Sequence, residues 1–253
     1  CYSGSLKKFS ECKEVCDPKF QYDSSNCTGD KVLTGNSCGG KYEKCIEPLQ
    51  YLYSDRTLSA EIIPGKSVIG IAVDPENRLA VAIDYIMTTG WGGYGIDIPT
   101  LENTPSSGTG IYVRGERDSY LIRDGKANTA KILAYGRSNG ISYPAAEAAY
   151  NYQPGSCSSS SWCGRGNWYL PSNWQVFPYF DNRATIHLML KAINKMPDDW
   201  WYTRNDFYTV TSNEINAKES GFIYINTGGM AHGGKNLTEP DNLQTLVLPY
   251  ITY

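Results

Sequence analysis

The two histidines are the first candidates for catalysis, because a neutral imidazole can act as the base that activates a nucleophile. His187 lies in the apolar run Ile186–Leu190 and is expected in the core or at its boundary, whereas His232 lies between two glycine pairs and is expected in an exposed, flexible loop. Neither has a Gly-x-Ser-x-Gly partner or a metal-binding companion at helical spacing. The glycine-rich run Gly90–Gly95 lacks the Lys-Ser/Thr ending of a phosphate-binding loop. The sequence therefore predicts no catalytic residue, no enzyme activity and no cofactor.

Acidic residues at three places invite a calcium interpretation, because hard cations prefer clustered oxygen ligands. They are Asp97, the pair Asp198 and Asp199, and the run Glu239–Asn242, which nearly matches the Glu-Pro-Asn sequence of calcium-dependent sugar-binding lectins. A turn explains the Glu-Pro-Asp-Asn run better. Since no dense cluster of oxygen, His or Cys ligands is visible, the sequence predicts no metal site, and we expect folding to need no metal.

Eight cysteines indicate an oxidising compartment. The rival interpretation is zinc, but zinc ribbons use C-x2-C pairs, and this chain has one C-x3-C and uneven gaps elsewhere. Cys157 and Cys163 are close in sequence and are predicted to bond to each other, whereas six N-terminal cysteines allow 15 connectivities and are left unassigned. All eight are predicted to be oxidised: Cys1, Cys12, Cys16, Cys27, Cys38, Cys45, Cys157 and Cys163.

The cysteine at position 1 has a second interpretation. A mature bacterial lipoprotein begins with a lipidated cysteine, so Cys1 is a candidate lipid anchor as well as a disulfide partner. Lipidation would leave seven cysteines and therefore one unpaired thiol. Both alternatives stay open at this point.

A recognition surface is predicted within residues 200–236, where aromatic residues alternate with Arg, Asn, Ser, Thr and paired glycines. Rigid aromatic rings provide contact area and small polar side chains provide adaptable hydrogen bonds. An ordinary loop-rich β segment explains the same composition equally well. Tyr202, Arg204, Tyr208 and His232 are expected to be at least partly exposed. The predicted ligand-binding residues are Trp201, Tyr202, Arg204, Asn205, Tyr208, Asn213, Asn226, His232 and Lys235.

The composition sets limits on the class of protein. The chain has 253 residues, a net charge of −3 and a mean hydropathy of −0.42, and it contains no apolar run of the roughly 18–20 residues that a membrane span needs. The mild acidity and the lack of basic runs argue against a nucleic-acid partner. Aromatic residues make up 13% of the chain, with 20 Tyr, which excludes a disordered chain and suits a surface that makes contacts.

The elements that would position these residues are short and mixed. Two β-branched runs, 68–73 and 79–83, flank a Pro/Asn turn and predict a hairpin. Short helices are predicted over 127–135, ending at Gly136, over 144–150 and over about 186–194, with an irregular region at 88–120 that includes a short strand at 110–113. Strands are expected over 221–225 and 245–248, with Phe222, Ile223 or Ile225, Leu246 and Leu248 holding the sheet beneath the recognition surface. This order predicts an α+β fold.

The domain organisation follows from the cysteines and the aliphatic residues. Residues 1–50 are rich in Cys, Gly, Ser and Lys and poor in aliphatics, so disulfides must hold this segment. Residues 51–253 carry the predicted hairpin, helices and strands. We therefore expect a small disulfide-stapled segment followed by one larger domain.

The run Gly164–Ser172 begins an ordered series of motifs. Trp168-x-Leu-Pro-Ser is followed by a helix, by an aromatic-led segment and by a terminal strand. The series resembles a bacterial surface domain found at the C-terminus of collagen-like adhesins and in many secreted proteins, and the resemblance covers about residues 60–253. The matching positions are Asn128, Thr129, Tyr135, Gly136, Trp168, Leu170, Pro171, Ser172, Trp201, Tyr202, Thr211, Ser212, Asn213, Glu214, Val247, Leu248 and Pro249.

That family has a C-type-lectin-like fold, which it shares with formylglycine-generating enzymes and with variable proteins diversified by retroelements. In the diversified relatives the comparable C-terminal region forms the ligand face. Two departures are visible: the aromatic-Trp-Ser-Ser-Thr-Glu run is broken up here, and Leu248 stands where the family has Arg. Trp168, Leu170 and Pro171 are expected in the core, and Ser172 is expected to cap a helix.

Three function hypotheses result. The first is a secreted or cell-surface bacterial binding protein, similar to an adhesin, whose partner is a protein or a glycan. The alternative is a structural subunit of an extracellular filament, with the Cys-rich segment as its assembly module, and the third is an enzyme of the formylglycine-generating fold. Polymerisation of the purified chain would separate the first two.

Overall fold

A computed structural model describes residues 32–33, 45–46, 49–88, 90–104, 111–112, 124–195, 207–224, 229–236 and 244–253. These residues form thirteen strands and four helices. In chain order the elements are β1 (Val32–Leu33), β2 (Cys45–Ile46), β3 (Gln50–Tyr53), β4 (Leu58–Ser59), β5 (Val68–Asp74), β6 (Leu79–Ala82), β7 (Ile86–Thr88), β8 (Ile111–Tyr112), α1 (Gly125–Asn139), α2 (Pro144–Asn151), α3 (Asn173–Asp181), α4 (Arg183–Ala192), β9 (Phe207–Glu214), β10 (Glu219–Tyr224), β11 (Met230–Gly234), β12 (Gln244–Val247) and β13 (Tyr250–Thr252). The predicted α+β class is confirmed.

The strands are arranged in three sheets. The five-stranded sheet has the order β13-β6-β5-β3-β4, the six-stranded sheet has the order β7-β12-β9-β10-β11-β8, and β1 pairs with β2. All pairs are antiparallel except β9 with β12, which run parallel. Strand β13, near the end of the sequence, thus joins the same sheet as β3, β4, β5 and β6.

The predicted hairpin is the centre of the five-stranded sheet. β5 and β6 pair around the turn that contains Pro75, and Ile71 lies opposite Val81. Gly70 lies under the carbonyl of Val81, where an added Cβ would come within 2.7 Å of the oxygen, so only glycine permits this close approach. A glycine is therefore needed at position 70 for β5 to pack this closely on β6.

The helices follow their local capping signals, with two differences from the sequence prediction. α1 starts at the cap Asp124, whose side chain accepts from the amide of Ala127 at 2.9 Å, but it runs through Gly136 and ends at Gly140 in the left-handed conformation. Gly136 is an internal contact position, where a Cβ would collide with the carbonyl of Ile141. The second difference is α3, for which the sequence analysis gives no helix. Its cap agrees with the expectation for Ser172, which forms a capping box with Gln175.

The disulfide between Cys157 and Cys163 is present, as predicted. Its loop packs under Trp168, whose indole nitrogen donates to the carbonyl of Cys163 at 2.8 Å, and Tyr152 meets the Trp168 ring edge to face with centroids 4.8 Å apart. Trp168 and Leu170 are buried, and so is Pro171, which confirms their expected place in the core. The expected supporting residues Phe222, Ile223, Leu246 and Leu248 are buried as well.

Among the described residues, no helix is long and apolar enough to cross a membrane. The six N-terminal cysteines have no described side chains, so their pairing, and the lipid anchor at Cys1, lie outside the described residues. The same holds for Asp198, Asp199 and Glu239–Asn242. Asp97 is exposed and accepts a hydrogen bond from the Asn103 side-chain amide at 3.0 Å.

Candidate functional site

The predicted recognition surface is only partly within the described residues. Five of its nine predicted ligand-binding residues lie outside them: Trp201, Tyr202, Arg204, Asn205 and Asn226. The other four lie on or beside β9 and β11, in the middle of the six-stranded sheet. Their places in the fold decide which of them an outside ligand could touch.

Tyr208 was expected to be partly exposed, and this is wrong. The side chain is fully buried on β9, between the neighbouring strands β10 and β12. Its hydroxyl shares a hydrogen bond with Thr245 of β12 at 3.0 Å, and its ring packs on Phe222 at 4.7 Å between centroids. A tyrosine in a central strand buries its ring and satisfies its hydroxyl across the sheet, so Tyr208 supports the fold.

Asn213 is also fully buried, and both ends of its amide are occupied. Its nitrogen donates to the Thr104 hydroxyl at 2.9 Å, and its oxygen accepts from the backbone amide of Asn173, the first residue of α3, at 2.8 Å. The asparagine therefore ties β9 to the start of a helix. The prediction that Asn213 lies on a ligand-binding surface is therefore wrong, because its side chain joins two elements in the interior.

Lys235 is the most unexpected of the four, because the whole side chain is buried. Its ammonium contacts the Glu214 carboxylate, which is also fully buried, and donates to the carbonyl of Ile96 at 2.6 Å. Burial raises the pKa of Glu214 and lowers the pKa of Lys235, while the contact between the two groups opposes both shifts. Lys235 is out of reach of a ligand in this structure.

His232 lies on β11, not in a flexible loop, and it remains partly accessible. Its Nδ1 is 3.2 Å from the Glu219 carboxylate, and the side chains are 13% and 35% exposed. The other histidine, His187, is buried as expected, with its Nε2 3.4 Å from the Tyr179 hydroxyl. Burial, with the nearby charge of Arg183, lowers the pKa of His187 to about 4, so the ring is neutral at pH 7.

A glycine-rich loop, Gly90–Gly95, is bonded at one end to Lys235, the residue after β11, and at the other end to the turn between β9 and β10. The amides of Trp91 and Gly92 donate to the carbonyl of Lys235 at 3.0 and 3.1 Å, and the Trp91 indole donates to the carbonyl of Thr211 at 2.8 Å. At the far end the amide of Gly95 donates to the carbonyl of Ala217 at 2.8 Å. Between these anchors Tyr94 is 50% exposed.

We call the accessible residues of this loop and of the two segments to which it is bonded the loop face: Tyr94, Lys218, Glu219, His232 and Asn236. It combines one exposed aromatic ring, on a loop whose backbone is held at both ends, with charged and polar side chains at one end of the six-stranded sheet. Such a surface can make apolar contact and hydrogen bonds with a partner. Within the described ranges no three His, Cys, Asp or Glu side chains converge as metal ligands, so the metal prediction rests on the sequence.

Tyr94, Trp91 and Glu214 are not among the site residues that the sequence predicts. The signal was present, because four glycines with positive φ occur in Gly90–Gly95 and surround the tyrosine. The phosphate-loop pattern does not fit this run of glycines. The same residues are compatible with a tight loop that exposes an aromatic side chain.

Comparison with known proteins gives one informative likeness. No family model and no curated protein matches this sequence. Among solved structures, a fimbrial protein from Bacteroides ovatus has a similar fold, with a TM-score of 0.52 and 14% sequence identity. The likeness covers 81% of this chain and 48% of the fimbrial protein, so this chain corresponds to about half of that protein's length. At this identity the likeness concerns the fold, which is one used by a bacterial surface protein.

Proposed function

We propose that this chain is a structural subunit of an extracellular bacterial filament, displayed at the cell surface. The observation that carries the proposal is the fold that it shares with the Bacteroides fimbrial protein over 81% of its length. The disulfide supports an extracellular location, because such bonds persist in oxidising compartments. The proposal assigns the chain no catalytic role.

An exposed sheet edge offers a route for self-assembly. Among the described strands, β7 lies at one edge of the six-stranded sheet, and the side chain of its central residue Met87 is 52% exposed. Edge strands present backbone groups to which a strand of another molecule can add. The Cys-rich residues 1–50 would act beside it as an assembly module, and residues 51–253 would form the C-type-lectin-like domain that the motif series suggests.

Immunogold electron microscopy of the source cells, with antibodies against this chain, tests the filament role. We expect gold particles along filaments. Particles spread over the cell envelope without filaments would contradict the proposal. Met87→Lys should reduce filament formation if β7 is the contact, and Leu188→Lys is the matched control, because Leu188 is a 40% exposed apolar residue on α4.

A second function, adhesin-like recognition of a protein or glycan, is favoured by the exposure of Tyr94 on a loop that is held at both ends. Because the backbone of this loop is already held in place, less conformational freedom is lost when Tyr94 binds a partner. Screening the purified chain against arrays of glycans and of extracellular proteins tests this role. For any bound probe, Tyr94→Ala should weaken binding by about 1–3 kcal/mol, as expected of an aromatic anchor.

Tyr150→Ala is the control for that experiment, because Tyr150 is another exposed tyrosine, 37% accessible on α2. It should leave binding unchanged. If both substitutions weaken binding equally, or if neither does, the loop face is not the recognition surface. This result would leave the filament role untouched.

A further inference from the structure

The buried pair of Lys235 and Glu214 is built like a reaction site. Both side chains are 0% exposed, although charged groups are rarely buried so completely. The lysine nitrogen contacts the glutamate Oε1, and it lies 4.9 Å from the centre of the Trp91 ring. The ring and the surrounding sheet keep water away from both groups.

Burial acts against the charged forms of the two groups, although their mutual contact opposes this effect. Removing an ammonium and a carboxylate from water is costly, and transfer of one proton between them gives an amine and a carboxylic acid. The pKa directions agree with this, since burial raises that of Glu214 and lowers that of Lys235. An uncharged amine is a nucleophile, and a carboxylic acid is a better acceptor for it than a carboxylate.

Backbone groups hold both reactants in place. The amide of Ile98 donates to the glutamate Oε2 at 3.1 Å, where negative charge would develop during attack on the carboxyl carbon. The carbonyl of Ile96 accepts from the lysine nitrogen at 2.6 Å and fixes its direction. The two backbone groups thus come from one short segment, Ile96–Ile98, which spans both side chains.

We propose that Lys235 and Glu214 condense to an intramolecular amide bond that cross-links the sheet. The lysine Nζ forms a bond to the glutamate Cδ, and the bond from Cδ to one carboxyl oxygen breaks. That oxygen leaves as water with one proton from the acid and one from the amine, so no oxidant, reductant or co-reactant is needed. The bond joins the end of β9 to the residue after β11 and encloses β10 and β11.

Such a cross-link would suit a protein under tension. Without it only hydrogen bonds hold these strands together, and with it a covalent bond does so as well. The inference does not depend on the proposed function. It would hold equally for a filament subunit and for a protein that acts alone.

Intact mass spectrometry of the full chain under reducing, denaturing conditions tests the bond. We expect a mass about 18 Da, one water, below that of the sequence. Trypsin should then give a branched peptide in which residues 205–218 are joined to residues 219–253, because a modified Lys235 is not cleaved. A mass equal to that of the sequence would overturn the proposal, as would a water loss located in any other peptide.

Two variants separate this bond from other dehydrations. Glu214→Gln should release ammonia and give the same branched peptide with a loss of about 17 Da, whereas Lys235→Met should show no loss. A branched peptide that persists in Lys235→Met would refute the assignment. The mass of the unaltered chain is sufficient to test the proposal. The test therefore remains possible even if one of the variants does not fold.

Discussion

The glycine-rich loop gives the most specific prediction about stability, because two of its glycines share a positive φ but differ in the space that is available for a Cβ atom. Gly92 and Gly95 both have positive φ, +100° and +85°. A Cβ on Gly92 would lie 2.6 Å from the carbonyl oxygen of Ser142 and 2.8 Å from Pro144, whereas a Cβ on Gly95 would have no atom within 4 Å. Alanine at Gly92 is therefore strained and crowded, and alanine at Gly95 is only strained.

The expected magnitudes follow from these two costs. A left-handed conformation costs an L-residue about 1–2 kcal/mol, which both variants incur. Overpacking against backbone that cannot move adds about 1–3 kcal/mol to Gly92→Ala alone. For a chain of this length about 1 kcal/mol lowers the melting temperature by roughly 2–4 °C, so Gly92→Ala should melt roughly 2–12 °C below Gly95→Ala.

Thermal unfolding followed by circular dichroism, with the disulfide intact in both variants, measures this difference directly. The comparison cancels the conformational cost that the two alanines share. Equal melting temperatures for the two variants would refute the packing of this loop against Ser142 and Pro144.

Three further predictions concern the core. Trp168→Ala should lower the free energy of unfolding by about 3–5 kcal/mol in urea titrations, because it removes a buried ring and its hydrogen bond to Cys163. Replacing both Cys157 and Cys163 with serine should lower it by about 2–3 kcal/mol in urea titrations without reductant, which leave the other cysteines of the two proteins in the same state. His187 has a pKa of about 4 in the folded protein, whereas a histidine in the unfolded chain has a pKa of about 6.5. Between these two values the unfolded chain binds a proton that the folded protein does not. The free energy of unfolding should therefore be at its full value above about pH 6.5 and fall by up to about 3 kcal/mol as the pH drops to 4. His187→Gln should flatten this pH profile, and an unchanged profile would contradict the assignment.

Local features were predictable from the sequence because they depend on neighbours in the chain. The β5–β6 hairpin, the cap at Ser172 and the Cys157–Cys163 bond each involve residues a few positions apart. The mixed α+β class followed from their order. Where a local rule failed, as at Gly136, the residue was serving a contact from another segment, which no neighbour in sequence reveals.

The tertiary structure alone decided which polar residues face solvent. β9 carries Thr, Ser, Asn and Glu, a composition typical of a surface, yet it lies between β10 and β12, and its residues from 208 to 214 are buried. Each then needs a partner from a distant segment, such as Thr104 for Asn213 or Lys235 for Glu214. Composition reports the type of a side chain and not what covers it. The sequence by itself determined the class of fold and its local elements, while the exposure of Tyr94 and the burial of Tyr208 and Lys235 depend on which strands the chain brings together.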